Sequence, residues 1–163
     1  MLCCQGSWVE ALPLLTHAIK SRQDFIAAYA ERGLLYGLNE QYAEAMRDLA
    51  YAIHVEPGFH RTWAYRAALH VQRSLWGDVI EDATKAIERA PTYAPAYKLR
   101  GIGYQVTKRL DLAVADLHAY LEHYPLAPDR AQIRDSIAKL EAPPTEEEPP
   151  KGKSWLDRLL GRK

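Results

Sequence analysis

"YAERGLLY", residues 29–36, lies in a stretch whose apolar spacing reads as a helix, yet it sets Arg32 and Gly33 between two tyrosines. Glycine inside a helix costs about 1 kcal/mol relative to alanine. An arginine on a buried aromatic stripe needs a partner for its charge. Thirty-four residues further on stands "WAYRAALH" (63–70), and the same interval leads to "YKLRGIGY" (97–104). Arg32, Arg66 and Arg100 therefore each mark one unit of an internal repeat.

Aligned at this period, the units are 26–59, 60–93 and 94–127. Aromatic residues recur at Tyr29, Trp63 and Tyr97, small ones at Gly33, Ala67 and Gly101, and rings again at Tyr36, His70 and Tyr104. Further along come Ala45, Val79 and Ala113, then Asp48, Asp82 and Asp116, then Leu49, Ala83 and Leu117. Each unit closes on a proline: Pro57, Pro91 or Pro125. Tyr29, Gly33 and Tyr36 share one face of a first helix, and Ala45, Leu49 and Ala52 one face of a second. Short breaks such as "GLNEQ" (37–41) and "RSLWG" (73–77) separate the two. The prolines stop the second helix, because proline disfavours helical geometry in the residue before it. Small residues on both faces let the helices approach, so Gly33 supplies space for a neighbour.

These spacings resemble the tetratricopeptide repeat, a helix–turn–helix unit of 34 residues, here of a small bacterial type. The resemblance covers 26–127 as three repeats and extends back into a half repeat within 1–25. There Trp8, Ala11, Leu15 and Ala18 match a second helix. The middle repeat is degenerate, with His70 for tyrosine and Ala83 for a larger apolar residue. The fold class implied is all-α, a right-handed α-solenoid. With each helix pair folded back on itself, Arg32 faces Asp48, Arg66 faces Asp82 and Arg100 faces Asp116. Three structural salt bridges are expected, with a basic ladder reading an anionic ligand as the alternative.

Tyr120 occupies the slot held by Ala52 and Ala86, so a different element must pack next. Residues 128–142 supply it: Ile133, Ile137 and Leu140 form an apolar stripe suited to a capping helix. The front edge has no such cap. Pro13 should kink the first helix, and Trp8 with Leu15 should form an apolar patch, so either an upstream helix or a homodimer through this edge would cover it.

Lys plus Arg number 21, as do Asp plus Glu, so no overall field recruits nucleic acid or an anionic membrane. Nucleic-acid binding is disfavoured. The two cysteines, Cys3 and Cys4, are adjacent and form no disulfide framework, which fits a reducing compartment. Without a basic n-region or a long apolar run, the expected location is the cytoplasm. "GIG" (101–103) lacks the third glycine of a nucleotide loop, and no phosphate-cradling or zinc motif occurs. His118 and Glu122 stand one turn apart without an evident third metal ligand. The expectation is no enzyme, no cofactor and no metal.

The resemblance implies that the first helices line a concave surface for a protein or peptide partner. By register that face carries Ala27, Ala30, Glu31, Leu34 and Leu38, then Arg61, Ala64, Tyr65, Ala68 and Gln72, then Lys98, Leu99, Ile102 and Gln105. Chaperone cofactors of this family hold a C-terminal carboxylate with lysine, arginine and asparagine on this face. Ala30, Leu34, Tyr65 and Leu99 stand at such positions here, which argues against a chaperone-tail receptor. The groove reads as apolar and suited to an apolar or amphipathic helix, or else as filler of the superhelix interior. Residues 143–153, "PPTEEEPPKGK", read as a disordered linker. The tail 154–163, "SWLDRLLGRK", carries Trp155, Leu156, Leu159 and Leu160 on one helical face, with Ser154 as N-cap. The tail could dock in a groove, on a partner or on lipid. The readings that follow are a scaffold or adaptor first, then a membrane-surface adaptor anchored by the tail, then a self-assembling module.

Overall fold

The computed structural model describes residues 5–22 and 24–142; the tail, Cys3 and Cys4, and the side chain of Trp8 lie outside this range. Eight helices, and no strand, occur among the described residues: α1 Gln5–Ser21, α2 Ile26–Leu38, α3 Tyr42–Val55, α4 His60–Gln72, α5 Trp76–Arg89, α6 Ala94–Val106, α7 Leu110–His123 and α8 Arg130–Glu141. The pairs α2/α3, α4/α5 and α6/α7 are three stacked helix–turn–helix units. α1 packs on α2, and α8 on α7.

Each second helix stops two residues short of its proline, at Val55, Arg89 and His123. The residues preceding the prolines, Glu56, Ala90 and Tyr124, have left helical geometry, with ψ of 78°, 85° and 71°. The turns inside the first two units fall within the spans 37–41 and 73–77 but are shorter. α2 runs on through Gly37 and Leu38, and α5 already begins at Trp76. The left-handed residue of each turn is Glu40, Ser74 or Lys108, at φ 61°, 56° and 63°. Each closes a Schellman motif: the amides of Gln41, Leu75 and Arg109 donate to the carbonyls of Tyr36, His70 and Tyr104 at 2.9, 3.0 and 2.9 Å.

The glycines serve packing instead. A Cβ on Gly37 would lie 1.9 Å from Leu69 Cδ2 of the next unit, and one on Gly33 would lie 2.8 Å from Leu49 Cγ. In the third unit Gly101 meets Leu117 in the same way. In the second unit the corresponding pair is Ala67 with Ala83, both fully buried. Glycine faces leucine or alanine faces alanine, so the volume between the helices is kept and the apparent degeneracy at Ala83 is compensated.

Tyr120, 4% exposed, packs with Leu117, Ala127, Ile133 and Ile137, and Leu140 completes the α8 stripe. At the opposite end Pro13 lies within α1 without ending it. Leu15 is half-buried there; the exposed leucine is its neighbour Leu14, at 70%. No described helix is long and apolar enough to cross a membrane.

The arginine of the opening stretch has its partner. Arg32 Nε and Nη2 donate to the two carboxylate oxygens of Asp48 at 2.7 and 2.9 Å. Arg66 and Asp82 make the same fork at 2.7 and 2.7 Å, as do Arg100 and Asp116 at 2.8 and 2.8 Å. The guanidinium of Arg32 also lies 5.6 and 5.7 Å from the ring centroids of Tyr29 and Tyr36. The flanking tyrosines therefore hold the cation by its faces while the aspartate takes its edge. Arg32 and Arg100 reach further, to the hydroxyls of Thr16 and Thr84 on the preceding helix, at 3.4 and 3.3 Å. In the middle unit Ala50 replaces that threonine, and His70 Nε2 instead approaches Asp82 Oδ2 at 3.5 Å.

Candidate peptide-binding groove

The first helices α2, α4 and α6 line the concave side, and a cavity of about 390 Å³ opens between α4, α6 and the end of α7. Six of the residues named from the register line it: Leu34, Ala64, Tyr65, Ala68, Lys98 and Leu99. Four others complete the wall, Tyr93 and Pro95 from the loop and start leading into α6, and Tyr120 and Tyr124 from α7 and its end. Reading first helices alone could not supply the three tyrosines.

The remaining register residues lie elsewhere. Ala30 is fully buried in the cluster of Ala45, Leu49 and Leu69, so its methyl belongs to the core and does not reach the groove. Leu38 and Gln72 border a separate cavity of about 460 Å³ at the turn edge, with Glu40, Tyr42 and Arg73. Ala27, Ile102 and Gln105 border neither cavity.

Two polar triads of like construction stand at the groove. In the first, Glu31 Oε1 on α2 accepts from the Tyr65 hydroxyl at 2.8 Å and pairs with Arg61 Nη2 at 2.6 Å, while Arg61 Nη2 donates to the Tyr65 hydroxyl oxygen, both residues lying on α4. In the second, Asp129 at the start of α8 accepts from the Tyr120 hydroxyl at 2.7 Å and from Lys98 Nζ. Each cation also sits over its triad's ring, Arg61 at 5.4 Å from Tyr65 and Lys98 at 5.6 Å from Tyr120. Burial, and then the carboxylate each hydroxyl donates to, push both phenols well above the ordinary tyrosine range, so they remain neutral donors. Lys98 and Tyr120, by donating to it, hold Asp129 below its ordinary 3.8. The two cations closest to the cavity are thus already satisfied within the chain.

Among the described residues no cluster of three histidine, cysteine or acidic side chains is placed to hold a metal. His118 faces Glu141 at 3.6 Å, on the outer surface between α7 and α8.

No family model matches the chain. Hsp70-Hsp90 organizing protein 2 of Arabidopsis thaliana is 30% identical over 109 residues, which is 67% of this chain and 19% of that protein. The chain therefore spans about a fifth of the length of this curated relative. The Arabidopsis OM64 TPR domain superposes with a TM-score of 0.65 at 21% identity, covering 70% of this chain and 94% of that one. The chain is a tetratricopeptide-repeat solenoid. The first TPR domain of Spaghetti (RPAP3), bound to the HSP90 peptide SRMEEVD, gives a TM-score of 0.65 at 20% identity over 70% of this chain and 90% of its own. MamA gives 0.63 at 16% identity, over 83% and 85%. In this solenoid the repeat arginines tie together the two helices of each unit.

Proposed function

We propose that this repeat solenoid is a cytoplasmic, non-catalytic adaptor whose concave groove takes an apolar or amphipathic peptide segment of a protein partner. One observation carries the reading: the cavity is walled by Leu34, Ala68, Leu99 and four tyrosines, while its nearest charges, Arg61 and Lys98, are neutralised by Glu31 and Asp129. A leucine or tryptophan of a ligand can enter without stranding a polar group, and each such side chain buried contributes about 1.5–3 kcal/mol. An acidic segment would have to displace an internal carboxylate from its cation first. For that reason the peptide reading differs from the ligand in the RPAP3 structure, whose sequence SRMEEVD is acidic. It stands ahead of the membrane-surface and self-assembly alternatives because it alone has a formed cavity behind it.

The test is a selection of random dodecapeptides on the full chain. Selected ligands should carry two or three large apolar residues at helical spacing. Ala68→Arg, which fills the cavity, should weaken them at least tenfold while leaving the melting temperature unchanged. Ligands enriched in Asp and Glu, or binding indifferent to Ala68→Arg, would overturn the reading.

A further inference from the structure

We infer that the chain's own segment 154–163 is a resident occupant of this groove, docking in cis and competing with the partner. The inference rests on the groove reading above and adds to it an autoinhibitory ligand.

Three observations bear on it. The segment "SWLDRLLGRK" has Trp155, Leu156, Leu159 and Leu160 at positions that share a helical face, the pattern the groove would accept. Ten residues do not hold a helix in water unaided, so a helical face on this segment would need a surface to form against. The groove supplies aliphatic floor and tyrosine rings, in a volume of about 390 Å³ that falls within the ~300–1,000 Å³ typical of ligand pockets. Its charges are internally paired, so the net positive segment meets no unpaired lysine or arginine there.

The distances agree. Asp129, at the start of α8, touches Lys98 and Tyr120 of the cavity wall. From there α8 runs to Glu141, so at about 1.5 Å per residue its far end stands about 18 Å from the cavity edge. Residues 143–153 must bring the chain back over that distance. Rich in proline, they reach about 34 Å at ~3.1 Å per residue, which leaves slack to turn.

A tether of this length gives an effective concentration on the order of 1 mM. A segment with an intrinsic dissociation constant of about 100 µM would then be docked in roughly nine molecules of ten. A competing peptide would bind about tenfold more weakly than to an empty groove.

Methyl NMR of the full chain against its Trp155→Glu/Leu159→Glu variant tests this. Ala64, Ala68, Leu34 and Leu99 methyl shifts should differ between the two, by the same amount from 20 to 500 µM protein. The dodecapeptide selected on the groove should bind the variant about tenfold more tightly. Identical spectra, with the peptide equally tight on both, would overturn cis docking and leave the groove reading standing. Shift differences that grow with concentration would assign the segment to a second copy and also overturn it. Variant-sensitive binding to phosphatidylcholine–phosphatidylserine vesicles without groove shifts would make the segment a lipid anchor instead. Groove shifts in a chain that selects no peptide would support the resident segment while removing the partner reading.

Discussion

Gly33→Ala separates helix propensity from packing in this solenoid. In an unencumbered helix the substitution stabilises by about 1 kcal/mol. Here the new Cβ would stand 2.8 Å from Leu49 Cγ and 3.2 Å from the carbonyl oxygen of Ala45. Leu49 is fully buried, and its branch carbon cannot swing aside as a chain end would. Either α2 and α3 separate or Leu49 leaves its rotamer, at a cost of about 1–3 kcal/mol. The single variant should therefore be destabilised by up to ~2 kcal/mol, against its helix propensity. Leu49→Ala alone should cost about 2–5 kcal/mol through loss of a buried side chain. With both changes the unit acquires the alanine pair that the second unit already has at Ala67 and Ala83. In that background Gly33→Ala should stabilise by about 1 kcal/mol, so its sign reverses. Urea unfolding by far-UV circular dichroism, checked for coincidence with tryptophan fluorescence, measures all four corners of the cycle. If Gly33→Ala costs as much in the Leu49→Ala background as it does beside the native leucine, space is not what the glycine provides and the packing argument fails.

Charge reversal at Arg66 strips Asp82, 2% exposed, of its bidentate partner and should cost about 3–5 kcal/mol. Adding Asp82→Arg should recover part of the loss, and an unchanged melting temperature for Arg66→Asp alone would reduce the ladder to a solvated pair. Burial, with Arg61 adjoining, holds His60 below its ordinary 6.5, so the unfolded chain takes up the proton more readily. The stability His60 contributes as a neutral ring is full above pH 6.5 and is lost as pH falls from 6.5 through its folded value. Thermal unfolding between pH 7.5 and 5.5 should therefore slope less steeply for His60→Gln, and equal slopes would exclude this group. Freeing the groove cations by Glu31→Gln with Asp129→Asn should raise affinity for SRMEEVD about tenfold in fluorescence anisotropy. No gain would mean that the internal pairing is not what turns acidic peptides away.

The period was legible because each unit repeats the same physical requirement: a stop, a small contact residue and a buried ion pair at fixed spacing. The turns were not. Their left-handed residues are Glu40, Ser74 and Lys108, with no glycine signature, while the nearby Gly37 and Gly77 lie in helices. The spans read as breaks ran a residue or two into the helices at those glycines, because glycine serves close approach as readily as it serves turns. The threonine rung was missed for a different reason. Thr16 and Thr84 lie at multiples of the period, but Ala50 interrupts them, and a hydroxyl reaching an arginine across units leaves no mark in a pattern sought among apolar residues. Ala83 looked like decay only while it was compared with Leu49 and Leu117. Compared with Ala67 opposite, it fits.

At the groove, helical register told which residues leave the first helices on one side but not how far each extends into the open space. Ala30 is on that side by angle and is covered by Leu69 of the next unit. The missing part of the wall had a signal: Tyr120 and Tyr124, four apart on and after α7, stand where the earlier units have Ala86 with Ala90 and Ala52 with Glu56. Departures from the repeat at its last unit concentrate around the cavity, where α8 replaces a further repeat and Asp129 can tie Lys98 and Tyr120 together. The same comparison explains why a count of basic residues misjudges the face. Arg61 and Lys98 both project there, yet each has a carboxylate from a neighbouring element within contact and an aromatic ring beneath it. A cation held this way presents its paired edge, so the field felt by a ligand is that of the pair. On the proposed reading, a ligand would meet aliphatic carbon and the faces of tyrosines in the middle of the groove, and selectivity would pass from charge to shape.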